Sequence, residues 1–314
     1  MKNLFLIITG IIFLLIGIPA QANKDFENLE LNKTILEELS FKNIMRAFYA
    51  DKMKKVYVDD ESFQEENYVG LETPKRLLEN QYTISPNNQV KLDITEDLKA
   101  NFTEVTYEYI AYMGKLITYK NTNNEERYLV PIITHAVSDG KIVQYRTAQA
   151  FIELFSFKKV GGNYQAVSRT PPDPYPSGTY GYPSWNPQAL FPNLKKMGKN
   201  LVGNYTFDHE LIVHGFTESY WEIIHLPENN FIDIFYILAG ESNVDNIGDE
   251  DSPLAYNYTS TLNIKNENSE YYPLQIKFKG EKIDHETGII SKIDKNSTYV
   301  FDEEKYQYIE LKQK

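Results

Sequence analysis

Phe151-Ile152-Glu153-Leu154-Phe155-Ser156-Phe157-Lys158-Lys159, followed by Val160-Gly161-Gly162-Asn163 and then Tyr164-Gln165-Ala166-Val167-Ser168-Arg169, reads as two strands joined by a tight turn. Both arms are rich in aromatic and β-branched residues, which suit a pleated surface. The paired glycines supply the positive φ that a two-residue hairpin turn demands. This hairpin sets the fold class as antiparallel β, and the segments around it can be read against it.

Upstream, Val105, Tyr107 and Tyr109 alternate with Glu104, Thr106 and Glu108, the pattern of a half-buried strand, and further strands are expected over Tyr128–Thr134 and Lys141–Thr147. Earlier still, Asn32–Asp51 carries Ile35, Leu36, Leu39, Ile44 and Phe48 near helical spacing, with Glu37 and Glu38 close to its start. That pattern predicts an amphipathic helix docked on the sheet. Thr73-Pro74, leading into Lys75–Glu79, predicts a second, short helix with proline at its first position.

Downstream, the composition changes abruptly. Seven of the fourteen prolines fall between Thr170 and Asn193, interleaved with Tyr175, Tyr180, Tyr182, Trp185 and Phe191. A flexible linker is rich in Gly and Ser, so this stretch reads as an extended strap whose rings pack or bind. Beyond Leu201, six runs rich in Tyr, Ile and Phe read as strands: Tyr220–Leu226, Phe231–Ala239, Tyr256–Lys265, Tyr271–Lys279, Thr298–Phe301 and Tyr306–Leu311. Val300–Tyr306 reads as a closing hairpin. The expected architecture is mainly β with α+β. A small α+β N-terminal domain (residues 23–170, a helix on an antiparallel sheet) is followed by the strap (171–200) and by an acidic all-β sandwich or barrel-like domain (201–314).

The first 22 residues read as an export signal. Lys2 precedes an apolar run from Leu4 to Ile18, and Ala20-Gln21-Ala22 has the small-x-small form of a cleavage site. An apolar run of about fifteen residues is short of the roughly twenty that span a bilayer. The reading is therefore a mature chain from Asn23, periplasmic or secreted, with no integral membrane segment after cleavage. The absence of cysteine excludes disulfides, thiol chemistry and cysteine-ligated metal.

Charge is one-sided. Residues 1–200 carry 23 Lys plus Arg against 23 Asp plus Glu, whereas residues 201–314 carry 9 Lys, no Arg and 21 acids. The net charge of −12 thus resides in the C-terminal third. That field disfavours nucleic acid as a partner and favours cations or a basic protein.

Motifs with chemical content are few. His209, His214 and His225 fall within seventeen residues of one another, beside Asp208, Glu210 and Glu222. His209-Glu210-Leu211-Ile212-Val213-His214 has one residue more than the zinc-protease spacing, so on a helix the two imidazoles diverge by about 140°, and on a strand they take opposite faces. A zinc site would need His209 or His214 together with His225 and a carboxylate. Asp245, Asp249 and Asp251 form an acidic loop that would suit calcium, although the EF-hand spacing fails at Ile247 and Leu254. Asp208 with Glu210, or Glu218 with Glu222, are the carboxylate pairs available for glycoside hydrolysis. No nucleophile elbow or phosphate-binding loop occurs.

Tyrosine is abundant, with 24 residues, and Tyr and Trp give large contact areas at binding surfaces. Tyr175, Tyr180, Tyr182, Trp185 and Trp221 are the candidate binding residues. The expected function is a non-enzymatic binding or accessory protein that recognises a basic protein or an envelope glycan and has no cofactor. The alternative is an envelope hydrolase using carboxylates, with or without a metal held by His209, His214 or His225.

Overall fold

Residues 30–61, 63, 67–73, 107–145, 148–172, 178, 180–183, 193–212 and 215–311 are described in the computed structural model, residues 209–212 by their backbone alone. The chain is mostly β, folded as two antiparallel sheets, one of them a curled half-barrel. In chain order the strands are β1 (Ile35–Leu36), β2 (Met53–Lys54), β3 (Tyr68–Leu71), β4 (Glu108–Met113), β5 (Ile117–Lys120), β6 (Glu126–Ser138), β7 (Lys141–Ile142), β8 (Phe151–Val160) and β9 (Asn163–Arg169). They continue with β10 (Lys195–Lys196), β11 (Val202–Ile212), β12 (Phe216–Leu226), β13 (Asp233–Ser242), β14 (Asn257–Ile264), β15 (Leu274–Ile283), β16 (Ile290–Asp302) and β17 (Gln307–Glu310).

The first sheet has the order β1-β9-β8-β6-β4-β3-β2, with β5 and β7 also paired to β6. The expected hairpin is β8 and β9, next to the β1 edge: Val160 lies opposite Asn163, with Gly161 and Gly162 at φ 58° and 94°. The thirteen-residue β6 is the spine, pairing with β8 along one edge and with β5 and then β4 along the other. Pro131 sits in the middle of this strand, where a missing N–H would ordinarily break a ladder. Its carbonyl accepts from the Gly114 amide at 2.9 Å. Its nitrogen therefore faces the same edge, at the gap between β4 and β5 where no donor is required.

The helix is shorter than its periodicity predicts. Residues Phe41–Phe48 form α1, but Ile35 and Leu36 leave the helix and pair with Gln165 and Tyr164 as an edge strand. The pairing supplies backbone hydrogen bonds and ties the N-terminal segment to the hairpin, which a solvent-exposed first turn of helix would not do. The helix does dock on the sheet: Ile44 and Met45 are buried against Val130, Ile132, Phe155 and Phe157, and Phe48 stacks on Phe155 at 4.4 Å between centroids. The short helix expected over Lys75–Glu79 lies outside the described residues.

The second sheet is a meander, β10-β11-β12-β13-β14-β15-β16-β17, each strand paired to its neighbour in sequence. β13 and β14 share only two residue pairs, and the sheet turns there. It closes over Trp221, Ile223, Phe235, Ile237, Leu262, Leu274, Ile276 and Phe278. The closing hairpin is present, with β16 and β17 joined across Asp302 and Gln307.

The two sheets share a core. Leu129, Ile152 and Leu154 on the face of the first sheet opposite α1 pack against Val202, Ile224, Leu226 and Ile232. Polar contacts finish this seam. Arg127 makes a two-pronged pair with Glu228 (Nε to Oε1 2.7 Å, Nη2 to Oε2 2.9 Å), and Arg169 pairs backbone-to-backbone with Phe231. Among the described residues no helix is long and apolar enough to cross a membrane.

Candidate functional site

The described part of the strap lies against the first sheet at the end carrying β7. Its anchor is Gly181. The Gly181 amide donates to the Ala148 carbonyl at 2.9 Å, and its own carbonyl is 2.5 Å from Nδ1 of the buried His135. A carbonyl can only accept, so Nδ1 carries the proton and Nε2 accepts from the Tyr112 hydroxyl at 3.3 Å. Burial lowers the His135 pKa, and the bond to the Gly181 carbonyl opposes that shift. Tyr112 stacks on the imidazole, and Phe63 and Tyr182 meet it edge-on.

Only glycine fits at position 181. A Cβ there would lie 2.3 Å from the Val143 carbonyl oxygen, and the backbone is at φ 77°. Tyr180 also adopts a left-handed conformation, φ 54°, which costs an L-residue about 1–2 kcal/mol. Tyr180 is 52% exposed all the same, and Tyr182, whose ring packs edge-on against His135, is 56% exposed, its hydroxyl accepting from Gln144 Nε2 at 3.4 Å. Two of the candidate binding tyrosines are thus presented by a fixed backbone. Tyr175 and Trp185 lie outside the described residues.

Trp221, the remaining aromatic candidate, is a core residue. Its indole N–H donates to Ser260 Oγ at 2.9 Å, and Tyr205 and Phe207 meet it edge-on inside the half-barrel. Its place on β12 opposite Phe207 and Ile237 accounts for this, because the ring falls on the covered face.

The metal candidates are dispersed. His225 is enclosed by Phe235, Tyr271, Phe301 and Tyr308, with Nε2 at 3.0 Å from the Tyr308 hydroxyl and Nδ1 buried without a hydrogen-bond partner. Burial pushes its pKa down to about 3, so it is neutral at pH 7. The backbone of His209 lies opposite Ser219 on β11; its side chain and all of His214 are outside the described residues. Asp245 sits on the helical turn Val244–Ile247, and Asp249 and Asp251 on the exposed turn after it, where Asp249 Oδ1 accepts the Asp251 amide at 3.1 Å. Among the described residues no group of three or more His, Asp or Glu side chains is placed to hold a metal ion.

The carboxylates are arranged differently from either sequence pairing. Glu218 on β12 lies opposite Glu210 on β11 and Glu241 on β13, a row across three strands. Glu241 accepts from the Tyr258 hydroxyl at 2.7 Å and is 3.1 Å from His285 Nε2, while Tyr220 donates to Glu218. Burial, and then the charges of Glu241 and Glu218, push the Tyr256 phenol up to about 12. Glu222, by contrast, is buried opposite Thr206 and Tyr236. Sequence reasoning missed Glu241 and His285, because the register that joins them to Glu218 spans residues far apart in the chain.

Comparison with known proteins finds no family model, no curated protein and no solved structure that matches this chain.

Proposed function

We propose that this protein is an exported, non-enzymatic binding protein of the cell envelope, organised as an N-terminal α+β unit and an acidic β unit. It recognises an envelope glycan or a basic protein through the strap. The observation that carries this reading is the fixed presentation of Tyr180 and Tyr182: a strained, glycine-anchored backbone holds two half-exposed rings at the surface, that of Tyr182 with one side against His135. Sparse backbone conformations persist where surrounding structure over-determines them, and they concentrate at ligand clamps. The amino-terminal signal and the acidic excess after residue 200 supply the address and the bias towards cationic partners.

The test is co-sedimentation of the mature chain with insoluble envelope polysaccharide, and retention on poly-lysine, each over a salt series. A basic partner is lost as salt rises, because screening shortens the reach of the acidic field to about 8 Å at physiological ionic strength; a glycan is retained. Replacing Tyr180 and Tyr182 together with Ala removes either interaction if the reading holds, and unchanged binding of both probes by that variant refutes it.

One alternative, an envelope hydrolase, is favoured by Glu218 and Glu241, which lie side by side on adjacent strands, because glycoside hydrolysis uses a pair of nearby carboxylates. Turnover of envelope polysaccharide that disappears in both Glu218→Gln and Glu241→Gln would establish it.

A further inference from the structure

His225 joins the middle of the half-barrel to its last strand. It is 1% exposed, and around it lie Phe235 of β13, Tyr271 on the approach to β15, Phe301 of β16 and Tyr308 of β17, with ring centroids 4.8 to 5.6 Å away. Nε2 is 3.0 Å from the Tyr308 hydroxyl, and Nδ1 has no hydrogen-bond partner among the described residues. A neutral imidazole tolerates this, since its unpartnered nitrogen can be the one without a proton. An imidazolium has two N–H donors, and one of them would be stranded together with the charge among apolar rings. Aromatic faces attract a cation, but by less than the loss of its hydration costs.

The charged and titratable groups facing the ring do not relieve that cost. Asp233 lies opposite His225 on β13, but neither ring nitrogen of His225 bonds to it, and its Oδ1 accepts the Ile234 amide. On β11 the opposite residue is Gly203, which has no side chain to offer. Burial pushes the phenols of Tyr271, Tyr306 and Tyr308 up, so they stay neutral. Around them, Lys305 pairs with Asp302 on the turn after β16, and Glu303 and Glu270 act on Tyr271.

One wall of this enclosure is free to move. β12, β13, β15 and β16 each have a strand on both sides, whereas the four residues of β17 pair with β16 alone. What holds β17 across the half-barrel is the bond from Tyr308 to His225, the Tyr306 hydroxyl donating to the Phe231 carbonyl at 3.2 Å, and the packing of both rings on Phe235. Tyr306 has φ 50°, a left-handed conformation that L-residues adopt at a cost, so release of this turn also relieves strain.

From this geometry we infer that His225 and β17 form an acid-released latch: when His225 takes up a proton, β17 leaves the half-barrel core and uncovers Phe235 and Phe301. The latch is local to the half-barrel and independent of the strap. With β17 closed, burial pushes the imidazole pKa down to about 3; hydrated in the open form, it returns to about 6.5. The closed form is therefore fully favoured above about pH 6.5 and loses ground as pH falls towards 3, because the open form takes the proton first. Between about pH 7 and pH 4 the ratio of open to closed rises about 200-fold.

Amide hydrogen exchange of the full chain reads this opening strand by strand, with protection corrected for the intrinsic rate at each pH. The protected amides of β17 are expected to lose protection about 200-fold between about pH 7 and pH 4, while those of β14 and β15 keep theirs. His225→Phe and His225→Leu, each checked for folding by circular dichroism, should remove the pH response of β17. Tyr308→Phe keeps the ring and the histidine, so β17 should be less protected at pH 7 yet respond to pH as before.

A β17 response that survives in the neutral His225 variants overturns the latch and assigns the effect to carboxylates. So does a Tyr308→Phe variant whose β17 no longer responds to pH, which is decisive even where the His225 variants do not fold. Protection lost together from β14, β15 and β17 overturns the local release, and β17 protection unchanged down to pH 4 overturns it altogether.

Discussion

β8 and β14 are both antiparallel strands in the interior of this protein, yet they are built on different sequence rules. From Phe151 to Phe157 every residue of β8 is buried, Glu153 and Ser156 included. Along β14 the residues alternate, Tyr258, Ser260 and Leu262 inside and Asn257, Thr259 and Thr261 outside. The first sheet is covered twice, by α1 on one face and by the half-barrel on the other, whereas around β14 the half-barrel is covered once. Antiparallel strands normally have one wet face, so an unbroken apolar run in one of them signals a second layer. The polar residues within that run need partners: Glu153 accepts from Arg169 at 2.6 Å and from Tyr49 at 2.5 Å, and Ser156 shares a hydrogen bond with Tyr119 at 2.8 Å.

The sharpest way to break this comparison is to strand the charge in the doubly covered layer. Arg169→Met leaves Glu153 buried without its ion-pair partner and is expected to cost about 3–5 kcal/mol, read as a fall in the urea midpoint. A loss below about 1 kcal/mol would mean that water reaches the site and the second layer is open. Next in size, alanine at successive positions distinguishes the two rules directly. Leu154→Ala and Phe155→Ala should each cost about 2–5 kcal/mol, as should Leu262→Ala, whereas its neighbour Thr261→Ala should cost less than about 0.5 kcal/mol.

A third test uses pH and addresses the half-barrel. The folded-state pKa of His225, about 3, lies below the value of about 6.5 expected in the unfolded chain. The stability linked to this group is therefore fully present above pH 6.5 and declines as pH falls towards 3, because the unfolded chain takes up the proton first. Between pH 7 and pH 4 the loss should be about 3 kcal/mol. His225→Phe should flatten that part of the stability profile; an identical acid response in the variant would assign the loss to carboxylates instead. The smallest effect concerns the seam. Glu228→Gln removes one partner of the part-exposed pair with Arg127 and should cost about 1 kcal/mol, with both halves still unfolding in one transition.

Much of this was legible in the residues, and the exceptions have physical causes. The hairpin at Gly161–Gly162 and the closing hairpin after Asp302 are local, and turn chemistry identified both. The run from Ile35 to Phe48 was ambiguous because Ile35 and Leu36 fit a helical stripe equally well; their pairing with Gln165 and Tyr164 is a contact between residues 130 apart in the chain. Tyr180 and Tyr182 were readable as candidate binding residues from the composition of the strap. Trp221 as a binding residue and His225 as a metal ligand are both buried, because strand parity decides their face and parity is set by register. His285 became interesting only once Glu241 lay beside it.

The two strand orders also imply two timetables. In the half-barrel every strand pairs with the one just made, so the meander can zip up as the chain emerges. In the first sheet, β1 is among the earliest segments synthesised but pairs with β9, 130 residues later. At about 5–20 residues per second that is roughly ten seconds of waiting. Through that interval Ile35 and Leu36 have no native partner, so this is the stretch that a chaperone escorting the nascent chain would have to guard.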